Sequence, residues 1–158
     1  MKEKDLSGLA HRIRQELVEV EHVLERIREG WQRARRSNDD YYLDSVALNL
    51  HGFYSGLERL FALIAETIDG SVPQGENWHQ VLLQQVSEEV PHVRPAVISK
   101  EVSKRLNEYR GFRHVVRNVY TYHFDSSKVE KLVVSAPALF NQLKAELSAF
   151  ADFLEQQE

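Results

Sequence analysis

The stretch LSGLAHRIRQELVEVEHVLERIREGW, residues 6–31, decides the fold. Leu6, Leu9, Ile13, Leu17, Val20, Leu24, Ile27 and Trp31 recur at steps of three and four, which places them on one stripe of an α-helix. Asp5 or Ser7 can cap its start, and Ser37-Asn38-Asp39-Asp40 supplies turn residues after it. A helix over residues 6–31 spans roughly 40 Å at a rise of 1.5 Å per residue. So long an amphipathic rod must bury its stripe against other helices.

Those helices follow in the chain. A second is predicted from Tyr41 to Ile68 on the stripe Val46, Leu50, Phe53, Leu57, Leu60, Ile64 and Ile68. Leu43, Tyr54 and Phe61 widen that stripe, so this helix is expected to be the most buried. Gly70, Pro73 and Gly75 end it, and Asn77 can cap a short helix through Trp78, Val81, Leu82 and Val86. Pro91 and Pro95 mark an irregular connection. A fourth helix is predicted to start at the N-cap Ser99 and to reach Tyr120 or Tyr122. Ser127 with Glu130 forms a capping box for the last helix, in which Pro137 predicts a kink or a division in two. No strand pattern competes. The expected fold is all-α: one domain over residues 1–158, an antiparallel bundle of four long helices plus a short one.

The 158 residues bury a sizeable core without staples, and the absence of cysteine excludes disulfides, thiolate catalysis and Cys-based metal sites. The start MKEKDLSGLAHRIRQ has no apolar core and does not read as a signal peptide, and no apolar run approaches a membrane span. The cytoplasm is the expected location. A net charge of −4 argues against coating nucleic acid with the whole surface. Yet Lys100, Lys104, Arg105, Arg110, Arg113 and Arg117 crowd one stretch, opposed there only by Glu101 and Glu108, while Glu155 and Glu158 put acid elsewhere. That basic stretch is either one anionic contact surface or a solvated helix face.

The fourth helix breaks the pattern. Val102, Leu106, Tyr109, Val116 and Tyr120 define its apolar face, yet Arg113 falls in the middle of that face and Arg117 lies about 40° from Arg113. An arginine there is expensive unless paired or hydrated. It is either a structural arginine bonded to carboxylate or carbonyl groups, or part of an interface cleft that holds an anion. Two guanidinium forks and the Tyr120 hydroxyl suit a phosphate. On the second reading the apolar seam is the interface of a symmetric dimer. His114 and Asn118, one turn apart, flank the cluster, with His114 either a general acid–base or an ordinary surface residue. The seven histidines show no metal-ligand spacing, and no P-loop, serine-nucleophile or dinucleotide-binding pattern is present.

The string YRGFRHVVRNVYTYHFD, residues 109–125, resembles the signature helix of HepT-like proteins of the HEPN superfamily, and the preceding Trp78-His79 segment fits the same order of elements. The resemblance implies a toxin-type, metal-independent RNA endonuclease without cofactor, a homodimer whose two motif copies meet in a composite active site. It also implies a small nucleotidyltransferase partner of the MNT type, which can modify the motif tyrosine with AMP. The family motif is R-x-x-x-x-H or slightly longer, with a polar residue after the arginine and, in HepT-type members, a tyrosine two residues after the histidine.

Two registers fit. In one, Arg113 is the motif arginine, His114 its polar follower, Asn118 stands where histidine is expected, and Tyr120 is the tyrosine that is modified. In the other, Arg117 is the arginine, Asn118 the follower and His123 the histidine, with Asp125 where tyrosine would be. The first is preferred because it recovers Tyr120 and the preceding Phe-Arg-His string. Arg113, His114, Asn118 and Tyr120 are then the candidate catalytic set, with Arg110, Arg117 and His123 as candidate RNA or phosphate contacts. Asn118 cannot titrate near neutrality, so the endonuclease is degenerate or borrows its proton transfer from His114 or His123. The alternatives are a non-catalytic helical module that docks a nucleotidyltransferase with its nucleotide, and an adaptor whose arginines only complete a dimer interface.

Overall fold

The computed structural model describes residues 5–37, 40–118 and 126–157, with residues 40, 113–118 and 126 described by backbone alone. Five α-helices follow in order: α1 (Leu6–Ser37), α2 (Asp40–Ile64), α3 (Trp78–Val86), α4 (Lys100–Asn118) and α5 (Ser126–Gln156). A π-helical turn, Ala65–Asp69, extends α2. No strand occurs among the described residues. The chain is thus an all-α bundle of four long helices and one short one.

Asp5 caps α1, its Oδ1 accepting the Gly8 N–H at 2.8 Å. Leu9, Ile13, Leu17, Val20 and Ile27 are buried as the stripe requires, while Leu24 and Trp31 are half-buried. α1 packs chiefly on α2 and α5. Its direction against α5 is fixed by Arg14 bonding Asp152 at 2.7 Å and Glu155 at 3.0 Å, with Lys144 and Glu21 3.9 Å apart further along. These exposed ion pairs set register more than stability. The core supplies the stability, and α2 is its centre: Val46, Leu50, Phe53, Tyr54, Leu57, Phe61 and Ile64 are each at most 1% exposed. After Asp69 the chain turns at Gly70, whose φ of 78° is a left-handed conformation that a side chain resists.

The connection between α3 and α4 is organised by one residue that sequence reading passed over. Arg94 is 3% exposed. Its Nε and Nη2 grip Asp69 Oδ1 and Oδ2 at 2.6 and 2.8 Å, Nη1 donates to the carbonyls of Glu88 and Pro95, and Nη2 also donates to the carbonyl of Gln85. All the guanidinium donors are therefore used, which is the condition under which a buried arginine is tolerated. The Val97 and Ile98 N–H groups close the loop onto the Val86 carbonyl at 2.8 and 3.2 Å.

Three local expectations are corrected. Asn77 stands at the N-cap of α3, but its side chain makes no cap bond; its backbone carbonyl accepts the Gln80 and Val81 N–H groups instead. α5 begins at Ser126, one residue before the expected cap Ser127. Pro137 does not divide α5, which is one helix over Ser126–Gln156. Pro137 is exposed, and having no N–H it leaves the Val133 carbonyl without its helical donor while the helix continues.

Arg94→Ala should lower the unfolding free energy by roughly 3–5 kcal/mol, because it strands the Asp69 carboxylate without its cation. Urea denaturation with an unchanged m-value would register this. A loss below about 1 kcal/mol would show that Arg94 does not organise the loop.

Candidate functional site

The candidate residues ride on α4, so what holds α4 determines what they can do. Ser99 caps it as the sequence predicts, its Oγ accepting the Val102 N–H at 3.1 Å. The Ser99 N–H in turn donates to Glu146 Oε1 on α5 at 2.6 Å. Further along, Tyr109 is 2% exposed and donates its hydroxyl to the Leu132 carbonyl at 2.7 Å, with Ser135 Oγ 2.8 Å away. Its ring lies 5.5 Å from that of Phe53 on α2. Burial pushes the Tyr109 hydroxyl up to about 12 from its usual 10.0. Paired with α5 at its start and again midway at Tyr109, α4 runs antiparallel to it and cannot rotate about its own axis without breaking these bonds.

That geometry removes Val102, Leu106 and Tyr109 from the expected dimer seam, while the side chain of Val116 and all of Tyr120 lie outside the described residues. Val102 and Leu106 are fully buried and Tyr109 nearly so within a single chain, where α2 and α5 cover them. The apolar stripe of α4 is core for at least this length, and its covering partners are the protein's own helices.

Arg113, His114, Arg117 and Asn118 belong to the C-terminal turns of α4 by their backbone, and their side chains lie outside the described residues. Tyr120 and His123 lie outside the described residues altogether. α4 carries the motif segment past Tyr109, towards the end of the bundle where the chain passes from α1 into α2 and α5 begins. Arg110 is half-buried and donates from Nε to Asn107 Oδ1 at 2.7 Å. Its Nη groups have no partner among the described residues.

A second polar pair supports the site's frame. Glu58 is 5% exposed on α2, and His79 Nδ1 lies 2.6 Å from its Oε2. A carboxylate can only accept, so Nδ1 carries the proton. The His79 ring stacks on Trp78 with centroids 3.7 Å apart. The Trp78-His79 dipeptide thereby ties the short α3 to α2. The signal in the sequence was Glu58 itself, a lone carboxylate between Leu57 and Leu60 on the most apolar helix. Among the described residues no group of three or more His, Asp or Glu could hold a metal ion, and no helix is long and apolar enough to cross a membrane.

The third long helix of the bundle, α4, carries the Arg- and His-rich segment to one end. The family described as HepT-like protein matches residues 45–154, from the first turns of α2 to the last turn of α5, and the chain belongs to the HepT-like family of the HEPN superfamily. No curated protein and no solved structure matches it.

The Tyr109 bonds make a testable statement about pH. A hydroxyl held near 12 in the folded chain and near 10.0 when unfolded contributes stability that is complete below pH 10 and lost as pH rises towards 12. The loss should amount to about 2–3 kcal/mol over that window. Tyr109→Phe should be less stable at neutral pH yet show a flatter decline above pH 10. Denaturation midpoints of both proteins at several alkaline pH values provide the measurement; parallel declines would show that Tyr109 does not carry the effect.

Proposed function

We propose that this chain is the RNA-directed, toxin-type half of a HEPN pair, acting as a homodimer in which two copies of the 109–125 segment build one site. The observation that carries the reading is the HepT-like signature, on the α4 segment of a chain that belongs to that family. The reaction is transesterification. A ribose 2′-oxygen attacks the adjacent phosphorus, the bond to the 5′-oxygen breaks, and a cyclic phosphate and a 5′-hydroxyl result. Arg113 and Arg117 stabilise the charge that develops on the phosphorane oxygens. A base removes the 2′-hydroxyl proton and an acid delivers one to the leaving 5′-oxygen; His114 and His123 are the titratable groups in the segment. Asn118 stands where the family pattern has histidine, so the native activity is weak. The partner is a small nucleotidyltransferase that transfers AMP to Tyr120.

A second reading draws on that same asparagine. With no titratable group at Asn118, the dimer binds the nucleotidyltransferase and its nucleotide without cleaving RNA.

Residues five apart on a helix point about 140° apart, so Arg113 and Asn118 of one copy do not converge on one phosphate. A two-fold mate supplies the missing half. Support for where it docks comes from α2: Tyr41 is 79% exposed and Leu48, two turns on, is 67% exposed. Gly52 continues their row, and a Cβ there would meet nothing within 4 Å. This face lies towards the end of the bundle to which α4 carries the motif.

Light scattering at micromolar concentration should give twice the chain mass of 18.4 kDa. Leu48→Glu should return it to the single mass with the helical content intact. A native monomer removes the composite site, and an unaffected dimer moves the interface away from α2.

Cleavage separates the registers. With chelator present, Asn118→His should raise ribonuclease activity by about 10²- to 10⁴-fold, the usual contribution of a general acid–base. If instead His123→Ala abolishes an activity that Asn118→His leaves alone, Arg117 is the motif arginine. Inert variants that still bind a nucleotidyltransferase establish the binding module.

A further inference from the structure

Between α3 and α4 lies an open groove of about 310 Å³, lined by Gln80, Gln84, Ser103, Lys104 and Asn107, with Lys100 at one end. Ser103 Oγ donates to the Leu83 carbonyl at 3.3 Å and ties its two walls together. Charge within it is lopsided. Lys104 has no ion-pair partner among the described residues, and Lys100 Nζ reaches only Glu88 Oε1, 4.0 Å away, an oxygen also 3.4 Å from Gln84 Nε2. Among the described residues Glu88 is the carboxylate that pairs with a lysine of the groove.

The groove is aligned with the motif. Residues 100, 104, 107, 111, 114 and 118 occupy one row of α4, within about 80° on the helix. The row passes over Gly111, which carries no side chain and where a Cβ would meet nothing within 4 Å, so the surface is open at that point between the groove and the motif segment. Lys100 and Lys104 are one turn apart, about 6 Å along the axis.

We propose that this groove is a second binding site, for the single-stranded RNA that flanks the phosphate held at the end of α4. This rests on the RNA-directed reading of that end. The groove, about 310 Å³ along the seam between two helices, is too small to take a duplex, so a strand that lies in it is single. Lys100 and Lys104 neutralise successive phosphates of that strand. The amides of Gln80, Gln84 and Asn107 offer both donors and acceptors to sugars and base edges. Among the described residues no aromatic ring lines the groove, so binding draws on charge rather than stacking and is salt-dependent.

The test is fluorescence anisotropy with a labelled single-stranded octaribonucleotide and a labelled dinucleotide, in chelator, over a range of salt. Replacing both lysines (Lys100→Ala with Lys104→Ala) should weaken octanucleotide binding about tenfold at low salt. It should also reduce the slope of log affinity against log salt by about 1.4, two cations at about 0.7 each. Gln84→Glu, which adds a negative charge inside the groove, should weaken the octanucleotide as well. Dinucleotide binding should be unchanged, because it does not reach the groove. Lys144→Ala on α5, outside the groove, should change neither. A native protein that binds the octanucleotide, with a slope that the double variant leaves unaltered, overturns the groove and leaves the site on α4 standing. So does equal weakening of both oligonucleotides by the double variant. A native protein that binds neither overturns both.

Discussion

The hydroxyl of Tyr109, donated to the Leu132 carbonyl inside the core, is the contact on which the presentation of the motif depends. A helix held only by apolar side chains can slide or rotate by small amounts at little cost, since dispersion is not directional. A buried hydrogen bond is directional, and leaving its acceptor unmet costs about 1–3 kcal/mol. With Ser99 held to Glu146 at its start, α4 has one rotation and one register against α5. Every residue beyond Tyr109 inherits its angular position from that choice. Because Val102, Leu106 and Tyr109 are turned into the core, the row through Lys100, Lys104 and Asn107 is turned towards α3 and solvent.

The loop before α4 is fixed by different means to the same end. Arg94 holds the end of the π turn, the end of α3 and its own loop through a single guanidinium. Glu58 and His79 join α2 to α3. Both pairs are buried or nearly so, where breaking one partner costs far more than the pair itself contributes. Fold specificity is thus concentrated in a few polar contacts around the start of α4, while the bulk of the stability comes from the apolar stripes.

Those stripes are why the fold was legible. Leu9, Ile13, Leu17 and Val20 on α1, and Leu50, Phe53, Leu57 and Ile64 on α2, are buried where their spacing puts them. Ser99 reads as a cap because its hydroxyl serves a backbone N–H three residues away, an interaction local in sequence. What failed was non-local. A stripe shows that Val102, Leu106 and Tyr109 must be covered, but not whether α5 or a second copy covers them. Arg94 gave no local signal between Pro91 and Pro95, since its partner Asp69 is far back in the chain. Pro137 looked like a break, because spacing does not reveal whether a helix ends at a proline or continues through it. Of the site, the sequence supplied the segment and the residue types. Arg110, Lys100 and Lys104 stand on described faces of α4, whereas the side chains of Arg113 and Asn118 and all of Tyr120 and His123 lie outside the described residues.

The central claim is that the end of α4 binds RNA phosphate through Arg113. The most direct test is the affinity of the native protein and of Arg113→Ala for a labelled dinucleotide in the presence of chelator. Losing charge-assisted bonds to a phosphate should weaken binding by on the order of 2 kcal/mol, roughly thirtyfold, with circular dichroism unchanged. Equal affinities for the two proteins would contradict the claim and make Arg113 a structural residue.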